Sequence, residues 1–196
     1  MNTVSMRRLA PVFLISILIV ASCGTLTKVE TDTMLKNNEW RQILANDLVI
    51  KSTHGVEYGI FLEDFVHETH RKMDYEEWYV GFRSYKRIPD AARLVFLLND
   101  GSEVLLGCNT LNKVGGSGDQ GVRYTALFDI SPVELDRLIY TGIKNIRISA
   151  GMGMSYEEFH DLLGSRGSKV QKYFLSARKT IIRRRDNGPH PRNKLF

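Results

Sequence analysis

Two histidines lie three residues apart and form the only histidine pair in the sequence. His67 and His70 are separated by Glu68 and Thr69. Metalloproteases use the motif H-E-x-x-H, in which the histidines are four residues apart on one face of a helix, so the spacing here differs from that motif. Because no third ligand is evident near the pair, we predict that the chain has no metal site.

A glycine-rich segment matches the pattern of a dinucleotide-binding loop. Residues 116–121 have the sequence Gly-Ser-Gly-Asp-Gln-Gly, which fits G-x-G-x-x-G. In a dinucleotide site this loop opens a helix whose N-terminus holds the pyrophosphate. A strand is predicted after this loop, from Val122 to Ile130, so we interpret the segment as a glycine loop between strands and predict no nucleotide cofactor.

Paired carboxylates are the remaining groups that could perform catalysis. Glu76-Glu77 and Glu157-Glu158 are adjacent in sequence, but glycosidase chemistry depends on how far apart the two carboxyl groups are in space. The sequence has no G-x-S-x-G elbow, no Walker loop and no Cys-His signature. We therefore predict no catalytic residue.

Two hypotheses for function follow from these residues. A non-catalytic binding or structural module predicts no converging titratable groups and an exposed apolar or aromatic patch, for which the candidates are Trp78, Tyr79 and Tyr85. A hydrolase, the alternative, predicts a site built from loops such as 109–121. In that site at least two of His54, His67, His70, His160 and the nearby carboxylates converge.

The N-terminus carries the most specific pattern in the chain. Arg7 and Arg8 precede an apolar run of 12 residues, Ala10 to Ala21, and Ser22 then leads to Cys23. The run is short for a bilayer-spanning helix, which needs about 20 residues, and its layout is that of a secretory signal peptide.

These residues resemble the signal peptide and lipobox of bacterial lipoproteins. The resemblance implies that residues 1–22 are removed and that acyl chains such as palmitate are attached at Cys23, which anchors the protein in the cell envelope. Gly24, where an aspartate would favour the inner membrane, points to the outer membrane. The resemblance ends at Cys23, and the rest of the chain matches no family on its motifs.

Cysteine and charge usage agree with an envelope location. If Cys23 is lipidated, Cys108 has no disulfide partner, and its place after an apolar segment predicts a buried, inert thiol.

From Arg166 to Phe196 the chain has ten basic residues and one acid, Asp186. We predict that Arg183, Arg184 and Arg185 attract an anionic envelope surface, that the domain binds an unknown protein or glycan, and that it does not bind nucleic acid.

The hydrophobic pattern predicts a single domain over residues 39–182. A polar tether precedes it at 23–38, and a basic flexible tail follows at 183–196. Strands are predicted near 47–51, 78–83, 93–98, 103–106, 122–130 and 143–148, with a hairpin turn at Asn99-Asp100-Gly101. Residues 57–71 are compatible with either a helix or a bent strand.

Three helices are predicted from capping signals and apolar spacing. The first begins after Ser131 with Glu134 completing a capping box, the second after Ser155, and the third at Ser168. These elements predict an α+β fold, mainly an antiparallel β-sheet or partial sandwich, with a short helix between the last two strands and C-terminal helices.

Overall fold

A computed structural model describes residues 27–35, 40–69, 72–85, 87–88, 92–118, 121–149, 156–160 and 166–187. These residues form ten strands and two helices. The first five strands are β1 (Val29–Leu35), β2 (Trp40–Ala45), β3 (Leu48–Lys51), β4 (Glu57–Thr69) and β5 (Lys72–Ser84). The rest of the fold is β6 (Arg93–Leu98), β7 (Glu103–Gly118), β8 (Gly121–Ile130), α1 (Pro132–Tyr140), β9 (Ile143–Ser149), β10 (Tyr156–His160) and α2 (Arg166–Asn187).

Hydrogen bonds join all ten strands into one antiparallel sheet. Its order is β1-β2-β4-β5-β8-β7-β6-β9-β10. Strand β3 lies off this path and pairs with residues 57–60 of β4, whereas β2 pairs with residues 63–67 of the same strand. The predicted α+β class with mainly antiparallel strands is confirmed. Residues 57–69, for which the sequence allowed either a helix or a bent strand, form a strand, and β4 pairs with β5 from Gly59 to Thr69.

Strand β7 holds the two halves of the sheet together by changing partner along its length. Residues 103–107 pair with β6, whereas residues 108–118 pair with β8. The predicted hairpin between β6 and β7 is confirmed. At its turn Gly101 has a φ of +85° and Asp100 Oδ1 accepts a hydrogen bond of 2.9 Å from the Ser102 backbone N–H.

Helix α2 covers one face of the sheet and closes the main core. Its predicted apolar residues Val170, Phe174, Ala177 and Ile181 are all buried and belong to one cluster with the sheet. Alternate residues of β4 and β5, such as Leu62 and Val80, face them from the sheet side.

The predicted capping box of α1 is confirmed. Ser131 Oγ accepts from the Glu134 N–H and the Glu134 carboxylate accepts from the Ser131 N–H. The helix buries Leu135, Leu138 and Ile139 and ends at Tyr140, just before Gly142 with its φ of +87°.

The face of the sheet opposite α2 carries a smaller apolar cluster of Leu44, Phe61, Tyr79 and Leu127. Gly81 is required here, because a Cβ at this position would overlap the Phe61 ring that lies across it. The Arg83 guanidinium covers the other side of that ring, 4.4 Å from its centre.

Arg83 is held over this cluster by ion pairs. It contacts Glu30 at 3.0 Å and Asp47 at 2.9 Å, and Asp47 also binds Arg123 at 2.7 Å. Burial raises the pKa of Asp47, against the two arginines, which lower it.

Two boundaries predicted from the sequence are wrong. Residues 29–35, placed in the tether, form the edge strand β1, because pairing with β2 satisfies their backbone although their side chains are mostly polar. Residues 183–187, placed in the tail, continue α2, because the Arg184 and Arg185 side chains form ion pairs with the sheet.

The helix predicted after Ser155 is also wrong. Residues 156–160 form β10, which pairs with the edge of β9 from Tyr156 opposite Ser149 to His160 opposite Asn145. Pairing along a free strand edge therefore outweighs the local capping signal. The predicted loop at 109–121 is largely strand as well, since β7 runs to Gly118 and β8 begins at Gly121.

Candidate functional site

A cleft of about 340 Å³ opens where β5 and β8 meet the start of α1. Its wall consists of residues 76–79 of β5, Asn109 of β7 and residues 129–132 at the junction of β8 and α1. Three carboxylates line it: Glu76, Glu77 and Asp129. The sheet register creates this grouping, because Tyr79 lies directly opposite Asp129 on the neighbouring strand.

Neutral donors hold two of the three carboxylates in place. The Tyr79 hydroxyl donates to Glu77 Oε2 at 2.6 Å, and Asn109 Nδ2 donates to Asp129 Oδ1 at 2.7 Å. A carboxylate has about four acceptor positions, so each keeps capacity to accept bonds from a ligand. The cleft can therefore bind a group that carries N–H or O–H donors, and positive charge on that group strengthens the bonds.

The side chains of the adjacent glutamates Glu76 and Glu77 lie on opposite faces of the strand. Consecutive residues of β5 point to opposite faces, so Glu76 forms an ion pair with Arg185 of α2 while Glu77 binds Tyr79. Glu157 and Glu158 lie in β10, at the other end of the strand order. Asp129 and Asn109 were not expected at the site, and only the strand register identifies them.

The three candidate histidines within the described residues lie on different parts of the fold. His54 is exposed before β4, His67 packs against the Trp40 ring at 4.9 Å in β4, and His160 lies in β10. His70 lies outside the described residues. Within the part of the chain that the structure describes, no group of three or more His, Cys, Asp and Glu side chains is arranged to hold a metal ion.

The predicted aromatic patch is not on the surface. Tyr85 is 50% exposed, but Trp78 and Tyr79 are only 5% and 8% exposed. Trp78 belongs to the main core, and Tyr79 packs edge-on against Phe65 with ring centres 5.5 Å apart. Trp78 therefore serves mainly the main core and Tyr79 the smaller apolar cluster, and both residues also line the cleft.

A buried charge cluster lies beneath the C-terminal end of α2, next to the cleft residue Glu76. Arg41 is only 1% exposed and binds Asp32 through two nitrogens, at 2.9 and 3.1 Å. It also donates to the backbone carbonyls of Arg184 and Arg185, both at 3.2 Å. The last carbonyls of a helix have no backbone N–H partner within that helix, so Arg41 acts as a side-chain cap at the C-terminal end of α2.

Asp32 and Asp64 in this cluster have opposite pKa shifts. Burial disfavours the charge on Asp32, but hydrogen bonds from Arg41 and Arg184 outweigh burial and lower its pKa. Asp64 is fully buried, neither of its carboxylate oxygens has a hydrogen bond, and Arg185 is 3.5 Å away. Burial raises the pKa of Asp64 to about 7, against the attraction of Arg185.

The basic residues predicted to attract an anionic surface have different locations. Arg184 pairs with Asp32 at 2.6 Å, and Arg185 pairs with Glu76 and Asp64. Arg183 is exposed. One local pattern indicates the internal cluster: Arg41 alternates with the apolar Ile43 and Ala45 and so lies on their buried face.

Cys23 lies outside the described residues. Cys108 is half-buried in β7 and packs against the main core, which is less enclosed than the sequence predicted.

Neither helix in the described part of the chain has the length and apolar character needed to span a bilayer. Comparison with family models, curated proteins and solved structures finds no match to this chain.

Proposed function

We propose that this chain is a lipid-anchored protein of the bacterial envelope whose domain binds an amine-bearing ligand without catalysis. The anchor is supported by the basic residues, apolar run and small residues that precede Cys23. The ligand site is supported by one observation above all. The cleft contains two carboxylates, Glu77 and Asp129, that neutral donors orient.

The position at which β1 begins limits the distance between the domain and its proposed anchor. Val29, its first residue, is six residues after Cys23. An extended chain covers at most about 3.5 Å per residue. The proposed lipid is therefore within about 21 Å of the sheet, and the domain is held close to the membrane surface rather than on a long tether.

Lipidation of Cys23 is the first testable consequence. In bacteria that express the full chain and are fed an alkyne analogue of palmitate, we expect the wild-type protein to take up label. Cys23→Ser should abolish labelling, because the thiol is the acceptor, and the matched variant Cys108→Ser should retain it. In-gel fluorescence after coupling to a dye measures both. Equal labelling of the wild type and Cys23→Ser would refute the anchor.

Ligand binding in the cleft is the second consequence. Two amine probes, a glucosamine tetramer and tetralysine, separate a glycan ligand from a basic peptide, and the N-acetylated tetramer tests the need for charge. We expect calorimetry to show binding of one amine probe. Glu77→Gln and Asp129→Asn should each weaken it by about tenfold or more, because a hydrogen bond to a charged group contributes about 1.5–3 kcal/mol.

The matched control for these variants is Glu57→Gln. Glu57 is an exposed carboxylate on β4 that pairs with Lys51 and does not line the cleft, so its loss removes the same charge elsewhere. An equal loss of affinity in all three variants would show that the probes sense net charge and not the cleft. Cleavage of the glucosamine tetramer would instead support the hydrolase hypothesis.

A further inference from the structure

The solvent side of α2 carries a basic stripe, defined as Lys169, Lys172, Lys179 and Arg183. All four side chains are exposed. The four residues lie at positions i, i+3, i+10 and i+14, and Ser176 occupies position i+7 between them. This spacing places them along one face of the helix. At 1.5 Å per residue the stripe is about 21 Å long.

The rest of α2 is committed to the fold. Its apolar face is buried in the core. Three other arginines reach acidic residues of the domain: Arg178 pairs with Asp136 of α1, Arg184 with Asp32, and Arg185 with Glu76 and Asp64. The stripe is thus the side of α2 that packing leaves to solvent, and the helix has no acidic residue before Asp186.

The stripe lies beside the start of the described chain. Thr180, next to Lys179, donates from Oγ1 to the carbonyl oxygen of Thr27 at 3.5 Å. Cys23 is four residues before Thr27, and four residues reach at most about 14 Å. A lipid on Cys23 would therefore enter the bilayer close to the C-terminal half of α2.

We propose that the basic stripe faces the membrane and contacts the anionic headgroups of phospholipids. The inference rests on the proposed anchor at Cys23 and specifies how the domain is oriented by it. Clustered lysine and arginine side chains near a bilayer are attracted to anionic lipid, and the attraction decays within a Debye length. The anchor brings the stripe within that range.

Vesicle binding of unlipidated protein tests the stripe separately from the anchor. The protein is the chain from residue 23 to 196 with Cys23→Ser, which retains every described element. The vesicles contain phosphatidylcholine alone or phosphatidylcholine with phosphatidylglycerol. We expect binding only to the second kind, measured by co-sedimentation. K169Q/K172Q/K179Q should lower the partition coefficient by roughly tenfold or more.

A matched triple variant controls for net charge. K51Q/R93Q/K144Q also removes three positive charges, from exposed positions on β3, β6 and β9, and should keep binding within about twofold because these positions lie off the stripe. Circular dichroism confirms that both triples fold.

Three outcomes would overturn the proposal: equal loss in the two triples, equal binding to neutral vesicles, or stronger binding to duplex DNA than to anionic vesicles. None of these would affect palmitate labelling at Cys23. Failure of the stripe and failure of the anchor are therefore distinguishable.

Discussion

Arg41 shows how one residue can determine the end of a helix that lies far away in sequence. Its guanidinium binds Asp32 of β1 and the carbonyls of residues 184 and 185 at the same time. A planar group with five donors can satisfy a carboxylate and two carbonyls at once, which the ammonium group of a lysine cannot do with the same geometry. The buried charge is therefore a structural connector between the sheet edge and α2.

Asp64 makes the stability of the protein depend on pH. Its pKa is about 7 in the folded state and 3.8 as the ordinary value, so between these values the folded protein holds a proton that the unfolded chain has released. The stability this contributes is complete below pH 3.8 and is lost as the pH rises to about 7. Asp32 has the opposite effect on stability. Because its pKa is lowered from 3.8, the stability that it contributes is present above that pH and is lost as the pH falls below it.

We expect Asp64→Asn to flatten this part of the stability profile. Across the window the difference in unfolding free energy between wild type and variant should change by on the order of 4 kcal/mol. Urea denaturation at several pH values measures it. The charged groups that act on Asp64 are Arg41, Glu76, Arg185 and Asp186, and all remain in the variant. Identical pH slopes in the two proteins would contradict the assignment.

At the scale of elements, the last turn of α2 is part of the domain. Removing residues 183–196 deletes Arg184 and Arg185 and leaves Asp32, Asp64 and Glu76 without those partners. Breaking a buried ion pair from one side costs about 3–5 kcal/mol. We expect this truncation to lower the unfolding free energy by at least that amount in urea titrations.

A shorter truncation provides the control. Deleting residues 188–196 leaves the described ion pairs of Arg184 and Arg185 in place and should change the unfolding free energy by less than about 1 kcal/mol. If both truncations have the same effect, the stabilisation does not come from residues 183–187.

Elements with strong local signals could be predicted from the sequence. The capping box at Ser131, the turn at Asn99–Gly101 and the apolar stripe of α2 each lie within a short stretch and are confirmed. Strands β1 and β10 could not be predicted, because they are edge strands whose stability comes from pairing with β2 and β9. Their own residues are polar or carry a competing helix signal.

At the scale of the whole molecule, the order of the strands creates the site, and this order could not be predicted from the sequence. Glu76 and Glu77 were recognised as candidate carboxylates, but their grouping with Asp129 and Asn109 depends on the registers of β5, β7 and β8. Registers of strands far apart in sequence follow from packing over the whole core. The partner change within β7 is of the same kind, since no local pattern marks it.

The contacts between β1 and α2 also determine when the protein can finish folding. Asp32 and Arg184 are separated by 152 residues, and Arg41 and the carbonyl of Arg185 by 144. The contacts of Asp32 and Arg41 with α2 therefore cannot form until residues 184 and 185 are available, and closure over such long sequence separations is slow. A chain delivered from its N-terminus, at a ribosome or through a translocation channel, stays incompletely folded until residue 185 has emerged. In the export that we propose, this topology would delay complete folding until the C-terminal helix has emerged.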